Sequence, residues 1–218
     1  MEFQNIGHFI LNCIDDSTNI ISHFDCEVLR KYLSMYYVLL ENFYTINKLK
    51  INDDKTHLVV ITSSQKRART QSANLVEIRT PDKIIKPQKN EKLLGCRIQD
   101  DMRWTQYLRD NDENIMKQLN QKLSALQLLS KLADFKTRKM LANGVFMSKL
   151  SYMIEVWGSC TKEVMDSLQV LQNRAAKVVT RNSWDMRTKD NLQQIGWLSV
   201  YQLSIYHSIV LNIMKNYS

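Results

Sequence analysis

The sequence has few residues that break or crosslink a chain. Of its 218 residues only two are Pro and five are Gly, and the four Cys stand singly at positions 13, 26, 96 and 160. Scattered cysteines provide neither the paired spacing of a zinc site nor the framework of a disulfide-rich secreted domain. We therefore expect a fold built around an apolar core, with reduced thiols that are mostly packed.

Long apolar runs are also missing. No segment approaches the roughly 18 apolar residues of a membrane-spanning helix. The first eight residues, MEFQNIGH, lack the basic and then apolar order of a signal peptide. We therefore expect an intracellular protein, in the nucleus or the cytoplasm, that is neither secreted nor bound to a membrane. A hydrophobic content of 44% argues against disorder of the whole chain.

Charge is distributed unevenly along the chain, whose net charge is +8. Residues 1–62 hold five Lys and Arg against eight Asp and Glu, whereas residues 102–218 hold sixteen against nine. Carboxylates collect cations, and basic side chains attract phosphates. The distribution therefore has two interpretations: a metal site beside a phosphate-binding surface, or a basic surface that is simply solvated.

Strand-like segments dominate the first hundred residues. Residues 9–14 and 18–22 predict two strands that flank an acidic turn at Asp15, Asp16 and Ser17. Residues 25–48 have the periodicity of an amphipathic helix, whose apolar stripe we expect to be core. Residues 56–62 predict a strand that returns beside the first hairpin.

A basic stretch separates these segments from two further strand regions. Residues 63–72 show no periodicity and predict a loop. Its basic residues are Lys66, Arg67 and Arg69. Residues 76–79 and 83–86 predict a second hairpin, and residues 92–98 predict a strand in which Gly95 permits a bulge or a close backbone approach. The basic loop has two interpretations, contact with nucleic-acid phosphates or an exposed surface without a ligand.

Beyond residue 101 the pattern changes to long amphipathic helices. Apolar stripes begin near residues 115, 140 and 165, and three such helices can share one core. A short helix stopped at Gly196 and a last helix after Ser199 complete the pattern. Trp104, Trp157 and Trp197 are interpreted as packing anchors. The sequence thus predicts two domains, residues 1–101 and an all-α region over residues 102–218.

Several segments occur in a distinctive order. CIDDSTNII at 13–21 is followed by the amphipathic helix, by NKLKINDDKT at 47–56 and by a strand. LLGCRI at 93–98 and MRW at 102–104 come next. In their order and spacing, these segments resemble the end of the palm domain in non-LTR retrotransposon reverse transcriptases. There a Tyr-x-Asp-Asp hairpin precedes a helix, a Leu-x-Leu-Asn-x-x-Lys-Thr segment and a Leu-Gly-Val-x-Ile segment.

The resemblance covers nearly the whole chain. The helical segments that follow in the family are similar to residues 150–158, 168–175 and 196–198. The fold it implies is α+β, with a partial antiparallel palm sheet and a crossing helix in residues 1–101, followed by an all-α thumb-like helical bundle in residues 102–218. The function it implies is that of an RNA-directed DNA polymerase, a nucleotidyltransferase.

The implied reaction is attack of a primer 3′-hydroxyl on the α-phosphate of a deoxynucleotide, assisted by two magnesium ions. Its partners would be an RNA or DNA template-primer and a dNTP. Asp15 and Asp16 would be Mg²⁺ ligands, and Lys55 would lie near the nucleotide phosphates. Leu94 and Gly95 fall where the family shapes a primer grip. Basic side chains of the thumb would follow the duplex backbone, and the candidates are Lys122, Lys131, Lys136, Arg138 and Lys139.

Two departures from the family pattern bear on activity. Cys13 stands where the family usually has Tyr or Phe. No residue of this chain matches the other metal-binding aspartate, which in the family lies upstream together with the fingers. The two-metal site would therefore lack a bridging ligand, and we expect a reverse-transcriptase fragment that is inactive alone.

Two alternatives belong to other functional classes. The first is a non-enzymatic nucleic-acid-binding module, in which Asp15 and Asp16 are relics or simply turn formers. The second is a degenerate retroelement-derived protein or an interaction protein, whose incomplete palm exposes apolar surface to a partner. Binding to nucleic acid that salt weakens would separate the first alternative from the second.

Overall fold

The structure is a computed structural model that describes residues 6–13, 16–63, 76–110, 114–183 and 185–216. Its strands are short and lie in the first hundred residues. They are β1 (Gly7–Cys13), β2 (Asp16–Ser22), β3 (Leu58–Val59), β4 (Ile78–Arg79), β5 (Ile84–Ile85), β6 (Pro87–Gln88), β7 (Asn90–Leu93) and β8 (Cys96–Gln99).

The strands form separate two-stranded sheets within the described residues. β1 pairs with β2, β3 with β6, β4 with β5 and β7 with β8. The β1–β2 and β4–β5 pairs are antiparallel, whereas β3 and β6 are parallel. The mixed α+β class is therefore confirmed. The prediction that a strand over residues 56–62 returns beside the first hairpin is wrong, because Leu58 and Val59 pair with Pro87 and Gln88 instead.

The first predicted hairpin is present with longer strands than the sequence predicts. In its register Cys13 lies opposite Asp16 and Leu11 lies opposite Thr18. Asp16 and Ser17 therefore belong to β2 rather than to the turn, and only residues 14 and 15 connect the two strands. The second predicted hairpin is also present, as β4 and β5, with Thr80 and Lys83 bonded across its turn.

The helices are concentrated beyond residue 114, apart from α1 (Cys26–Ile46). The others are α2 (Ile115–Ser130), α3 (Phe135–Ala142), α4 (Ser148–Ser151), α5 (Ile154–Trp157), α6 (Lys162–Thr180), α7 (Thr188–Ile195) and α8 (Val200–Asn216). Wider turns over Gln106–Asp110 and Asn143–Met147 are π-helical. Among the described helices, none combines the length and the apolar content needed to cross a membrane.

The chain divides into two compact units. The first comprises Met1–Leu93 and Ile98–Met102, and the second comprises Leu94–Arg97 and Arg103–Ser218. Within the second unit, α6 contacts α2, α3, α7 and α8. The core of the second unit therefore forms around α6.

The core of the helical unit follows the predicted stripes closely. Leu119 and Leu123 of α2 and Leu168 and Ala175 of α6 are all buried. Trp104 and Trp157 are buried packing anchors, as predicted, whereas Trp197 is half-buried. Leu129 and Met140 are exposed. The stripes are correct at their centres and fail at helix ends, where a helix no longer faces a neighbour.

Helix α1 begins where the sequence predicts and buries less than predicted. Asp25 caps it, since its carboxylate accepts hydrogen bonds from the backbone N–H groups of Glu27 and Val28. Phe43 is 60% and Ile46 is 81% exposed, so the apolar stripe of α1 is not core along its whole length.

Candidate functional site

The acidic hairpin is the first part of the candidate site. Asp15 lies outside the described residues, and for Asp16 the structure describes the backbone alone, opposite Cys13 in the first register position of β2. In the described ranges, no group of three or more His, Cys, Asp and Glu residues could hold a metal ion. Because the side chains of Asp15 and Asp16 lie outside this description, the Mg²⁺ site that the resemblance implies stays a prediction.

Polar contacts attach the hairpin to α1. Asn19 of β2 accepts a hydrogen bond from the Tyr36 hydroxyl at 2.8 Å, and the His8 ring packs edge-on against the Tyr36 ring at 4.5 Å. His8 Nδ1 also lies 3.2 Å from the Tyr32 hydroxyl. Partial burial raises the pKa of Tyr36 above its ordinary value, and Tyr32 and Tyr44 raise it further. These contacts fix the hairpin to the first half of α1.

Lys55 lies on a tight turn. It ends the 3₁₀ turn Asp53–Lys55, in which its backbone N–H donates to the Asn52 carbonyl at 3.1 Å. The Thr56 hydroxyl donates to the same carbonyl at 2.8 Å. The Lys55 side chain is exposed. The turn thus presents a solvated ammonium group just before β3.

Leu94 and Gly95 form the two-residue connection between β7 and β8. Both have left-handed backbone angles, with φ of 49° and 80°. The sequence predicts one strand over residues 92–98, and that prediction is wrong because two consecutive left-handed residues reverse the chain into a hairpin. No close approach requires a glycine at residue 95, because the nearest side chain would be at ordinary van der Waals distance from an added Cβ. A Cβ there would lie 3.8 Å from the Tyr152 ring, and the Tyr152 hydroxyl donates to the Leu94 carbonyl.

Basic residues occur just after α2, along α3 and just after α6; we call this set the basic end and define it by Lys131, Lys136, Arg138, Lys139 and Arg181. Arg138 is 6% exposed, and its guanidinium donates to the carbonyls of Val179 and Ala133, each at 2.8 Å. Arg181 donates to the Ser130 carbonyl. Both guanidinium groups therefore bind backbone carbonyls near helix C-termini.

Arg138 and Arg181 differ in their exposure to solvent: Arg138 is buried, whereas Arg181 is exposed. Burial lowers the pKa of Arg138 below its ordinary value, the nearby charge of Arg181 lowers it further, and Asp134 opposes the shift. Because its donors are used internally, Arg138 is a structural residue rather than the phosphate contact that the sequence predicts. Arg181 is exposed and was missed in the sequence. Arg181 follows α6 in a left-handed conformation. Its contact with Ser130, at the end of α2, is seen only in the folded chain.

The lysines of the basic end face solvent. Lys131 and Lys136 are exposed and Lys139 is partly exposed, and within the described ranges we find no hydrogen bond or salt bridge to their ammonium groups. Asp134 is the nearby carboxylate. It caps α3 by accepting the Thr137 N–H at 2.9 Å, and its bonds to Thr137 lower its pKa. Lysine charges therefore remain at this surface to interact with an anion.

The basic loop contributes no described geometry, because Lys66, Arg67 and Arg69 lie outside the described residues. Their contact with nucleic acid stays a prediction. Comparisons of this chain with protein-family models, curated protein sequences and solved structures found no match.

Proposed function

We propose that this chain is a fragment of an RNA-directed DNA polymerase of the non-LTR retroelement type, and that by itself it binds nucleic acid without extending a primer. The polymerase part of the proposal rests on the ordered sequence motifs. It is supported by an antiparallel hairpin that brings Cys13 opposite Asp16, followed by a long helix and the turn that carries Lys55.

The binding part of the proposal rests on the basic end. Phosphates of a nucleic-acid backbone are recognised by lysines and arginines without regard to sequence. Lys136 and Lys139 lie one turn apart on α3, so both side chains can point to the same side of the helix. Arg181 follows α6, a helix that contacts α3. The observation that supports this step is that Lys136 and Lys139 on α3 reach solvent, whereas Arg138 on the same helix is bound internally.

Nucleic-acid binding is tested by titrating the chain into a fluorescent RNA–DNA hybrid at several salt concentrations. We expect the logarithm of the binding constant to fall linearly with the logarithm of salt concentration. The double variant Lys136→Ala, Lys139→Ala removes two phosphate contacts and should reduce that slope by about 2.

Lys162→Ala is the matched control. Lys162 is an exposed lysine at the first residue of α6, whereas the basic end lies at the last turn of that helix. A helix of this length separates the two positions by about 27 Å. Equal losses from both variants, or an unchanged slope in the double variant, would contradict phosphate binding at the basic end.

Primer extension tests the polymerase part separately. With magnesium, dNTPs and a template-primer we expect no product, because no residue matches the upstream aspartate of the family. A product that Asp15→Ala abolishes would show that the chain is active alone. A product that Asp15→Ala leaves unchanged would argue against a catalytic role for the hairpin.

A non-enzymatic nucleic-acid-binding module is the second candidate. The observation that favours it is the exposure of lysines at the basic end, which can bind phosphates without a metal site. Binding that magnesium strengthens and Asp15→Ala weakens would favour the polymerase fragment, whereas binding that neither magnesium nor Asp15→Ala alters would favour this candidate.

A further inference from the structure

Among the described residues, β1 is an edge strand. Its described partner is β2 alone, and no other described strand is hydrogen-bonded to it. A strand edge presents a row of unpaired backbone N–H and C=O groups, which another strand can pair with. An isolated two-stranded hairpin is itself only marginally stable in water. The outer side of β1 is therefore chemically suited to a further β-strand.

The register identifies the backbone groups that face outward. Two residues connect Cys13 to Asp16, so this pair closes the hairpin and is hydrogen-bonded. Hydrogen-bonded and non-hydrogen-bonded pairs alternate along an antiparallel ladder. Positions 9 and 11 thus bond to β2, and positions 8, 10 and 12 direct their N–H and C=O groups away from it.

The side chains of β1 are apolar and exposed. Phe9 is 60%, Ile10 49% and Leu11 45% exposed. Phe9 and Leu11 lie on one face of the strand, and Ile20, which is 51% exposed, lies opposite Phe9. Between Gly7 and Cys13 there is no proline and no acidic or basic side chain other than His8. The strand therefore lacks the charges and prolines that usually protect an edge from pairing.

We propose that β1 pairs in antiparallel fashion with β1 of a second copy of this chain. A register centred on Ile10 satisfies all the outward positions at once, because position 10 meets position 10 and position 8 meets position 12. It also places Phe9 opposite Leu11 of the other copy on the exposed apolar face. The result is one continuous sheet in the order β2–β1–β1–β2.

Charge and composition favour a second copy over a foreign strand. The self-paired register opposes no like charges, and every large apolar residue of β1 meets an apolar residue. The outer edge of β2 is less suited to this role. Its residues 17–19 are Ser, Thr and Asn, and the Asn19 side chain is bonded to α1. This proposal does not depend on the proposed function.

Sedimentation of the purified full chain over a concentration series tests the proposal. We expect a reversible monomer–dimer equilibrium. Ile10→Lys places two ammonium groups opposite each other and should weaken the dimer by about tenfold or more. Ile10→Pro removes an outward N–H, which an edge strand tolerates, and should have the same effect. Both variants should retain the circular dichroism spectrum of the parent chain.

Ile205→Lys is the matched control on another exposed apolar surface. Ile205 lies on α8 and is 62% exposed, and its substitution should leave the dimer unchanged. A chain that stays monomeric at all concentrations overturns the proposal. So does an assembly that Ile205→Lys dissociates and the Ile10 variants do not.

Disulfide crosslinking tests the register. Residues in a hydrogen-bonded antiparallel pair have Cα atoms about 5.5 Å apart, within the range of a disulfide. Ile10→Cys should therefore form a disulfide between positions 10 of two copies, identified by mass spectrometry under mild oxidation. Phe9→Cys is expected to crosslink poorly, because position 9 faces position 11. Equal crosslinking by both variants would overturn this register.

Discussion

At the scale of single residues, Arg138 stabilises the helical unit. Arg138→Ala removes the donors that bind the carbonyls of Val179 and Ala133. We expect the free energy of unfolding to fall by about 1–3 kcal/mol, because buried carbonyls lose their partners. Lys136→Ala, on the exposed side of the same helix, should change it by less than about 0.5 kcal/mol. Urea denaturation of both variants measures the difference, and equal effects would contradict the structural role of Arg138.

The buried thiol of Cys96 should react slowly near neutral pH. Burial raises its pKa from the ordinary value of 9.0 to about 11, against a smaller opposing effect of Lys149. At pH 8 the thiolate is therefore scarce, and native Cys96 should react with iodoacetamide more slowly than the partly exposed Cys26. Alkylation followed by peptide mass spectrometry measures both rates.

The raised pKa of Cys96 also makes the stability of the protein depend on pH. The buried neutral thiol of Cys96 contributes fully below pH 9.0, and its contribution is lost as the pH rises through about 11. A Cys96 that reacts as fast as Cys26 at pH 8 would contradict the burial on which this prediction rests.

At the scale of elements, the β7–β8 hairpin depends on its left-handed turn. Gly95 has φ of +80°, a conformation that alanine adopts only at a cost of roughly 1–2 kcal/mol. Gly95→Ala should therefore destabilise the protein by about that amount. Gly144 is a matched control, because it lies in a helical turn with nothing within 4 Å of an added Cβ.

Gly144→Ala should stabilise the protein by about 0.4–1 kcal/mol, since alanine restricts the unfolded chain and fits the helical backbone. Thermal unfolding of the two variants should thus shift in opposite directions. A stabilising Gly95→Ala would show that the backbone at residue 95 is not left-handed in solution.

Turn geometry also explains which elements the sequence predicts correctly. The first hairpin and β4–β5 follow from apolar, β-branched runs on either side of turn-forming residues, a local pattern. The β7–β8 hairpin is missed because leucine rarely occupies a left-handed position, so Leu94 gives no turn signal. The choice of β6 as the partner of β3 involves residues about thirty positions apart, which local patterns do not encode.

At the scale of the whole molecule, the two units differ in how much apolar surface they bury. In the described part of the first unit the buried apolar side chains are Tyr37, Val76 and Ile78, whereas the second unit buries residues from most of its helices. Local stability follows the density of buried contacts. The two units are therefore expected to open at different free energies.

Native-state hydrogen exchange tests this difference. Amides in α2 and α6 should exchange at least about a hundredfold more slowly than those of β1 and β2. The measurement is made with the full chain below the concentration at which β1 would pair with a second copy. Equal protection in both regions would contradict the unequal burial.

Some residues of the candidate site can be recognised from short sequence motifs, whereas the role of others is recognised only in the folded chain. The sequence indicates Asp15, Asp16 and Lys55 through short motifs, and their predicted roles stay predictions. It also marks Arg138 as basic and therefore as a phosphate contact. Only the folded chain reveals that its guanidinium is buried against carbonyls from two other segments. Charge is visible in a sequence, whereas the partner of that charge is not.

By itself, the sequence determined the α+β class, the first two hairpins, the start of α1 and the apolar stripes of the helical unit. Each of these depends on residues within a few positions of one another. Tertiary structure alone decided that β3 pairs with β6, that Arg138 is internal and that β1 has no second partner among the described strands. Those outcomes depend on which distant segments compete for the same backbone groups and apolar surface, and that competition is settled only when the chain packs.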